Sequence, residues 1–458
     1  MQNRLRAGSL GILAVTFFVV SAAGPLVAMA GGIPVAMLFG NGPGTPGLFV
    51  AATIILGVFS VAYTAMAREV QDAGAFYALV RHGLGARAGG ATALIALLSY
   101  NALQIGLYGV LGTSLNDLLS PLLGSEPWWA YAFLAVLAVA FLGYRRVDLS
   151  AKILGVLVAC EYLIVLILDC CIVSHRGNAG LSMRPFAPSV VGSGAPWTGL
   201  MLCFSAFLGF EATTIYSEEA RTPERTIPLA TYLSVIVIGV FYSISTWAVV
   251  MGVGVDQLLP SLRHSQNPTA LLFDLSDRYV SHSMTQIMRV LFVTSTFAGL
   301  LAFHNAIARY LFATGREGLL PKALGRTHQS FQSPHVGSIV QTVLASVSVA
   351  LFALFGADPI LTVFTLPSAV ATLGIIVLMA MVSGAALRHS LRKSKRSSLV
   401  SGAAVLSLVL LAVIAALAAI NFDVLTGTGS IAIRFLPVAL AGVAVVGWRL
   451  AGRSAANV

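Results

Sequence analysis

Apolar runs long enough to cross a lipid bilayer follow one another along almost the whole chain. Hydrophobic residues make up 57% of the 458 positions, charged residues only 10%, and the mean hydropathy is +0.89. An average soluble domain carries about 25% charged residues, whereas a bilayer-spanning helix needs about 20 predominantly apolar residues. The sequence therefore predicts an all-α polytopic membrane protein.

Twelve such runs are predicted, and their even number places both termini on the same side of the membrane. If that side is the cytoplasm, the cytoplasmic loops hold 21 of the 27 Lys and Arg residues, as the positive-inside rule requires. This asymmetry explains the net charge of +10 without a nucleic-acid partner, and we expect the basic run 388–398 to contact anionic membrane lipids. The predicted spans are 10–39, 48–67, 90–115, 128–144, 151–174, 197–217, 229–251, 285–314, 336–356, 359–387, 399–420 and 432–450.

Residues that could hold a metal or act as nucleophiles do not converge in the sequence. Only one of the eight histidines, His304, lies deep inside a predicted span, and no HExxH-type zinc pattern occurs. The four cysteines lie in apolar runs without the spacing of a disulfide framework or a zinc site. We therefore expect no enzymatic activity, no cofactor and no metal site.

The sixth predicted span carries an acid at membrane depth. Its stretch 204–211 is an apolar run that contains Gly209 and ends at Glu211. An ionisable residue inside the hydrocarbon is by default a functional candidate, and unwound backbone at that depth survives only where it lines a cavity or is buried in protein. We interpret this stretch as half of a substrate site, formed by Ser205, Ala206, Phe207, Leu208 and Gly209.

The first predicted span is also open to interruption. It contains Ser21, Ala22, Ala23 and Gly24 followed by Pro25, and proline removes a backbone donor and clashes with the preceding turn. A tight helix crossing through small residues is the alternative. Because interrupted segments at matching places in two halves mark the midplane site of transporters, the five-span separation favours a break at 21–25 that contributes to the same site.

Three motifs resemble those of the amino acid/polyamine/organocation permeases. They cover the sixth span and the segments after spans two and eight, so that together with the span pattern the resemblance extends over nearly the whole chain. The motif residues are Gly209-Phe210-Glu211 with Glu218-Glu219-Ala220-Arg221-Thr222-Pro223-Glu224-Arg225-Thr226-Ile227-Pro228-Leu229-Ala230, then Ala73-Gly74-Ala75-Phe76-Tyr77, and Gly315-Arg316-Glu317-Gly318-Leu319-Leu320-Pro321.

The resemblance implies one transmembrane transporter domain over 1–458, with inverted repeats at about 10–174 and 197–387 and peripheral helices at about 399–420 and 432–450. It also implies alternating access around broken helices 1 and 6. In such permeases, amides of helix 1 hold a substrate carboxylate and carbonyls of helices 1 and 6 hold its amine, in keeping with the helix dipoles. Pro25 departs from the glycine-rich helix 1 pattern and has no N–H to offer, so an amine or polyamine substrate remains an alternative.

Two acids are the candidate coupling groups. Glu211 lies beside the expected break of the sixth span, and Glu161 lies near the middle of the fifth, where some proton-coupled permeases resembling this chain place a lysine. Either acid could carry a proton, and a purely structural hydrogen bond is the alternative for each; Glu161 could also ligate a cation or attract a substrate amine. Asp169 is expected to be solvated at the outer interface and is not a candidate.

Further polar residues within the spans are candidate pocket residues. Tyr100 and Gln104 recur at a spacing of four in the third span and therefore share one face, although hydrogen bonding between helices explains them equally well. His304 and Asn305 in the eighth span are candidates for a pocket or gate. Phe207 could cover the substrate or stack on an ammonium group.

Together these features favour a secondary active transporter that imports amino acids across a bacterial-type cytoplasmic (inner) membrane. The partners are a small-molecule substrate, amino acid or amine, and a coupling proton, with sodium as the less favoured ion. The alternatives are an amine or polyamine permease of the same fold, or a substrate-binding membrane sensor without active transport.

Overall fold

The computed structural model describes residues 10–70, 75–145, 151–216, 220–265, 267–328, 333–393, 397–426 and 431–456. Within these ranges helices are joined by turns and loops, and one isolated bridge connects Leu10 and Ala220. The motif pair Glu218–Glu219 and the motif residues Ala73 and Gly74 lie outside the described residues.

The long helices are labelled in chain order. They are α1 (Ile12–Phe39), α2 (Thr45–Ala67), α3 (Ala86–Leu123), α4 (Trp128–Tyr144), α5 (Ala151–Gly180), α6 (Pro196–Ser205 continued by Phe210–Tyr216), α7 (Pro223–Val253), α8 (His282–Arg316), α9 (His335–Leu354), α10 (Thr365–Arg392), α11 (Ser398–Ile420) and α12 (Leu436–Ala456). A shorter helix, Ala75–Leu84, joins α2 to α3.

Ten helices of the described residues are long and apolar enough to cross a membrane. The other two fall short in length, because α4 has 17 residues and α6 is divided into pieces of 10 and 7 residues. Long hydrophobic side chains such as Leu137, Val347 and Val409 are half exposed on the outer faces of the bundle. The prediction of a polytopic, all-helical membrane protein is thus confirmed.

α1 is broken where the sequence predicts an interruption. Its first half ends at Ala22, and Gly24 adopts a left-handed conformation with φ 54° and ψ 68° before Pro25 starts the second half. Glycine tolerates this conformation because it has no Cβ, and a proline in the first turn needs no hydrogen-bonded N–H. The second half runs through a π-helical turn at Ala28–Gly32 and continues to Phe39.

α6 is broken in the predicted stretch as well. Its first piece ends at Ser205, residues 206–209 form turns, and Gly209 has φ 110°. A 3₁₀ segment, Phe210–Tyr216, then continues the chain. The breaks of α1 and α6 therefore both coincide with glycines that take up positive φ.

Small residues let the helices around these breaks approach closely. α7 packs against α1, α2 and α5, and α3 packs against α8, α10 and α12. At Gly239 of α7 an added Cβ would lie 2.0 Å from the Thr53 hydroxyl, and at Gly374 of α10 it would lie 2.0 Å from the Ser99 hydroxyl. These contacts hold the helices that surround the breaks in fixed positions.

Candidate functional site

The broken segments of α1 and α6 are neighbours. The first half of α1 packs against the 3₁₀ segment of α6, and the π-helical turn of α1 packs against the first piece of α6. A Cβ on Gly32 would lie 3.9 Å from the Ser205 hydroxyl, which itself donates to the Leu202 carbonyl at 2.6 Å. The helix ends created by the two interruptions therefore lie in one region of the protein.

The carboxylate of Glu161 reaches from α5 to the break in α1. Its Oε2 accepts a hydrogen bond from the Leu26 amide at 3.2 Å, and its carboxyl lies close to the Ser295 side chain of α8. Leu26 is the first residue after the break that has a backbone N–H, because Pro25 has none. Glu161 is only 1% exposed, so one buried carboxyl connects α5, α1 and α8.

A tyrosine of α7 contacts the other side of the same break. The Tyr242 hydroxyl donates to the Ala23 carbonyl at 3.4 Å, and the Tyr242 ring lies 5.4 Å from that of Phe49. The Phe49 ring in turn lies 6.3 Å from Phe207, which is buried in the turns of α6. Aromatic packing thus links the two breaks, and the Phe207 side chain takes part in it.

Glu211 hydrogen-bonds within the break of α6. Its Oε2 accepts from the Gly209 amide at 2.8 Å. The Tyr63 hydroxyl of α2 donates to the Glu211 carbonyl at 2.5 Å and lies 2.9 Å from the Thr214 hydroxyl. The side chain and backbone of Glu211 therefore fix the turn that follows Gly209, and its carboxylate is not bonded to the backbone of α1 in these contacts.

The two candidates on α3 have different surroundings. Tyr100 is half-buried against Phe303 and Tyr310 of α8 and lies within electrostatic range of Glu211. Gln104 is wholly buried, and its Oε1 accepts from the Gln341 side chain of α9 at 2.6 Å while its Nε2 lies 3.4 Å from the Leu300 carbonyl. Tyr100 therefore packs against α8, whereas Gln104 joins three helices by hydrogen bonds.

His304 and Asn305 lie at the contact of α8 with α4 and α9. The His304 ring is 2.8 Å from the Ser338 hydroxyl, and a Cβ on Gly143 would lie 2.4 Å from its Cδ2 and 3.3 Å from Asn305 Oδ1. Nine residues separate His304 from Ser295, which places the two on opposite faces of a helix with 3.6 residues per turn. Because Ser295 faces Glu161, the structure places His304 away from the breaks.

Three residues near the breaks, Tyr63, Tyr242 and Ser295, are missed by sequence reasoning. Each is a single polar residue in an apolar helix, and no spacing or charge distinguishes it from an ordinary packing residue. The expected interfacial solvation of Asp169 is wrong, because α7 covers this residue. Asp169 is 5% exposed and accepts a hydrogen bond from the Ser245 hydroxyl at 2.5 Å.

Two of the permease-like motifs meet at the end of the bundle that the charge distribution assigns to the cytoplasm. Tyr77, after α2, donates a hydrogen bond to the carboxylate of Glu317, after α8, and the Arg81 guanidinium lies 3.2 Å from the same carboxylate. Burial and the adjacent carboxylate raise the pKa of Tyr77 to about 12, so the tyrosine stays protonated and remains a donor.

The known proteins to which this chain is similar include permeases and importers. A family model described as Amino acid permease matches residues 10–448. The branched-chain amino acid permease BcaP of Bacillus subtilis is 26% identical over 322 residues, which are 65% of each chain. The low-affinity putrescine importer PlaP of Escherichia coli K12 is 23% identical over 323 residues, 66% of each chain.

The BcaP protein of Lactococcus lactis is 24% identical over 309 residues, 62% of this chain and 63% of the relative. Each of these matches spans just under two thirds of the relative's length. The family model, by contrast, extends over nearly all of this chain, including both broken helices and the three motifs. The chain therefore belongs to the amino acid permease family, within the amino acid/polyamine/organocation superfamily.

Proposed function

We propose that this protein is a secondary active transporter that imports amino acids across the cytoplasmic membrane by alternating access, coupled to protons. The observation that carries the proposal is the juxtaposition of the two breaks, at 23–24 in α1 and 206–209 in α6. A helix N-terminus attracts a carboxylate and a helix C-terminus attracts an ammonium group. An amino acid offers both groups, and discontinuous membrane helices that present such ends are typical of transporter substrate sites.

In the proposed architecture, α4 and the interrupted α6 cross the membrane with the ten longer helices, which gives twelve spans with both termini in the cytoplasm. The domain is a single transmembrane unit with inverted repeats at about 10–174 and 197–387, and α11 and α12 are peripheral. The recurrence of a break five helices after the first supports this arrangement.

The proposed substrate contacts are the backbone of 21–24 in α1 and the turns after Ser205 in α6, with Phe207 and Tyr100 beside them. Glu161 is the proposed proton-carrying group, because it is buried and bonded directly to the break of α1. Glu211 contributes by fixing the turn at Gly209. Gln104, His304 and Asn305 hold the helices around this site together and are not proposed as substrate contacts.

A second candidate function is the import of amines, and one contact favours it. The first backbone N–H after Pro25, that of Leu26, is bonded to Glu161. A substrate without a carboxylate does not need this amide, and Glu161 would serve as the counter-charge of its ammonium group. The putrescine importer among the relatives agrees with this alternative.

Uptake by proteoliposomes tests the proposal. We expect radiolabelled leucine to accumulate above its external concentration when the lumen is alkaline, and a protonophore to abolish the accumulation. Protein-free liposomes are the control. Accumulation of putrescine but not of leucine would make the amine importer the correct function, and binding of leucine without any uptake would identify a sensor and refute transport.

A further inference from the structure

The first backbone amide after the α1 break is occupied by a carboxylate of the chain itself. Leu26 is the first residue in the second half of α1 that has a backbone N–H, and this helical segment continues to Phe39. Glu161 Oε2 lies 3.2 Å from the Leu26 nitrogen, and residues 26 and 161 belong to different helices. The carboxylate of Glu161 therefore sits in the position that a bound carboxylate ligand would take at a helix N-terminus.

We propose that Glu161 is an internal competitor of the substrate carboxylate. The ionised side chain holds the Leu26 amide in the empty protein, and an amino acid takes over this amide when Glu161 accepts a proton. This inference rests on the proposed function, because it assumes that a carboxylate-bearing substrate enters the site at the breaks. The competition for the Leu26 amide explains why the substrate and the proton would bind together.

No side-chain cation of the described residues is seen to neutralise Glu161, so a proton is the neutralising group in this proposal. In the described part of the chain, the groups close to the carboxyl are the Leu26 amide and the side chains of Ser295, Tyr162 and Tyr242. None of these groups is a cation. The other acid of the same helix, Asp169, is held by Ser245 of α7.

Two carboxylates at one amide repel each other, because like charges in a water-excluded site interact strongly. A protonated carboxyl is a poorer acceptor, so protonation weakens the bond of Glu161 to Leu26 and removes the repulsion at the same time. Proton binding therefore favours substrate binding, and by reciprocity substrate binding favours protonation. Above the ionisation range of Glu161, the affinity for an amino acid should fall by up to about tenfold per pH unit.

A decarboxylated substrate provides the matched comparison. 3-Methylbutylamine has the side chain and amine of leucine but no carboxylate, so it does not compete for the Leu26 amide. Under the proposal, its affinity does not weaken as the pH rises. If Glu161 were instead the counter-charge of a substrate ammonium group, the amine would bind more tightly as Glu161 ionises.

The test measures binding of radiolabelled leucine and 3-methylbutylamine to the purified protein between about pH 5.5 and 8.5. We expect the wild-type affinity for leucine to fall with rising pH and Glu161→Gln to bind leucine with a pH-independent affinity close to the wild-type value at low pH. Asp169→Asn is the control, because it removes another buried acid of α5 that does not contact the break, and it should keep the pH dependence. Thermal unfolding verifies that the variants are folded.

Ser295→Ala gives a second, independent variant that keeps the acid. Loss of the Ser295 hydroxyl beside the carboxylate disfavours the ionised form of Glu161, so leucine should bind more tightly than to the wild type while the pH dependence remains. Leucine binding that is pH-independent in the wild type would overturn the competition and leave the proposed function intact, as would a pH dependence that persists in folded Glu161→Gln. Absence of leucine binding in the wild type and all three variants at every pH would instead refute the proposed function itself.

Discussion

The break in α1 can be tested by replacing the glycine that creates it. Gly24 has φ 54° and ψ 68°, a left-handed conformation that costs an L-residue about 1–2 kcal/mol. A Cβ at this position would meet the Val27 Cβ at 3.6 Å, which is an ordinary contact, so no clash adds to the cost. Gly24→Ala should therefore disfavour the broken helix by about 1–2 kcal/mol, a factor of about 5–30 in its equilibrium with other conformations, and weaken leucine binding by up to the same factor.

Gly356→Ala is the matched control for this substitution. Gly356 has φ 61°, and no heavy atom lies within 4 Å of its ideal Cβ position, so it carries the same backbone penalty outside the helix breaks. Both variants should lose about 1–2 kcal/mol of stability in thermal or denaturant unfolding, but only Gly24→Ala should lose affinity for leucine. If Gly24→Ala shows the expected loss of stability but binds leucine with the wild-type affinity, the claim that this break forms the binding site is refuted.

Three further predictions concern contacts around the site. Tyr63→Phe removes two buried hydrogen bonds to the α6 break and should lower the free energy of unfolding by about 1–2 kcal/mol, measured by thermal unfolding. Gly374→Ala forces a Cβ to within 2.0 Å of the Ser99 hydroxyl and should cost about 1–3 kcal/mol; unchanged stability would contradict the close contact of α3 and α10. The hydrogen bond from Lys393 lowers the pKa of Glu69. The exposed pair should add below about 1 kcal/mol to the free energy of unfolding. This contribution should be present above the usual Glu pKa and vanish as the pH falls below it. The decrease of the melting temperature at acid pH that comes from this pair should be absent in Lys393→Met.

The positions of the breaks could be predicted from the sequence because local chemistry decides them. Gly24, Pro25 and Gly209 impose or permit non-helical backbone whatever their neighbours are. The interruption expected at 21–25 lies at 23–24 in the structure, and that of the sixth helix lies within the predicted stretch. The depth of Glu161 and Glu211 follows from hydropathy in the same way, and both are almost fully buried.

The partners of the polar residues could not be predicted, because they depend on which helices become neighbours. Spacing places Tyr100 and Gln104 on one face of α3, but it does not reveal that Gln104 meets a glutamine of α9. Likewise, hydropathy places His304 at depth without showing that it faces α4 and α9. Asp169 illustrates the same limit, since only the packing of α7 over α5 decides that it is buried.

The contacts of the two acids give them different roles in a moving protein. Glu211 binds an amide two residues earlier in its own segment, so this bond travels with the segment and survives a displacement of α6. Glu161 binds an amide on another helix, 135 positions away in the chain, and any shift of α1 against α5 must stretch or break that bond. The ionisation of Glu161 is therefore coupled to the relative position of two helices, whereas that of Glu211 is coupled to the shape of a single turn. In the proposed mechanism, Glu161 is for this reason the acid through which a proton would influence the movement of alternating access.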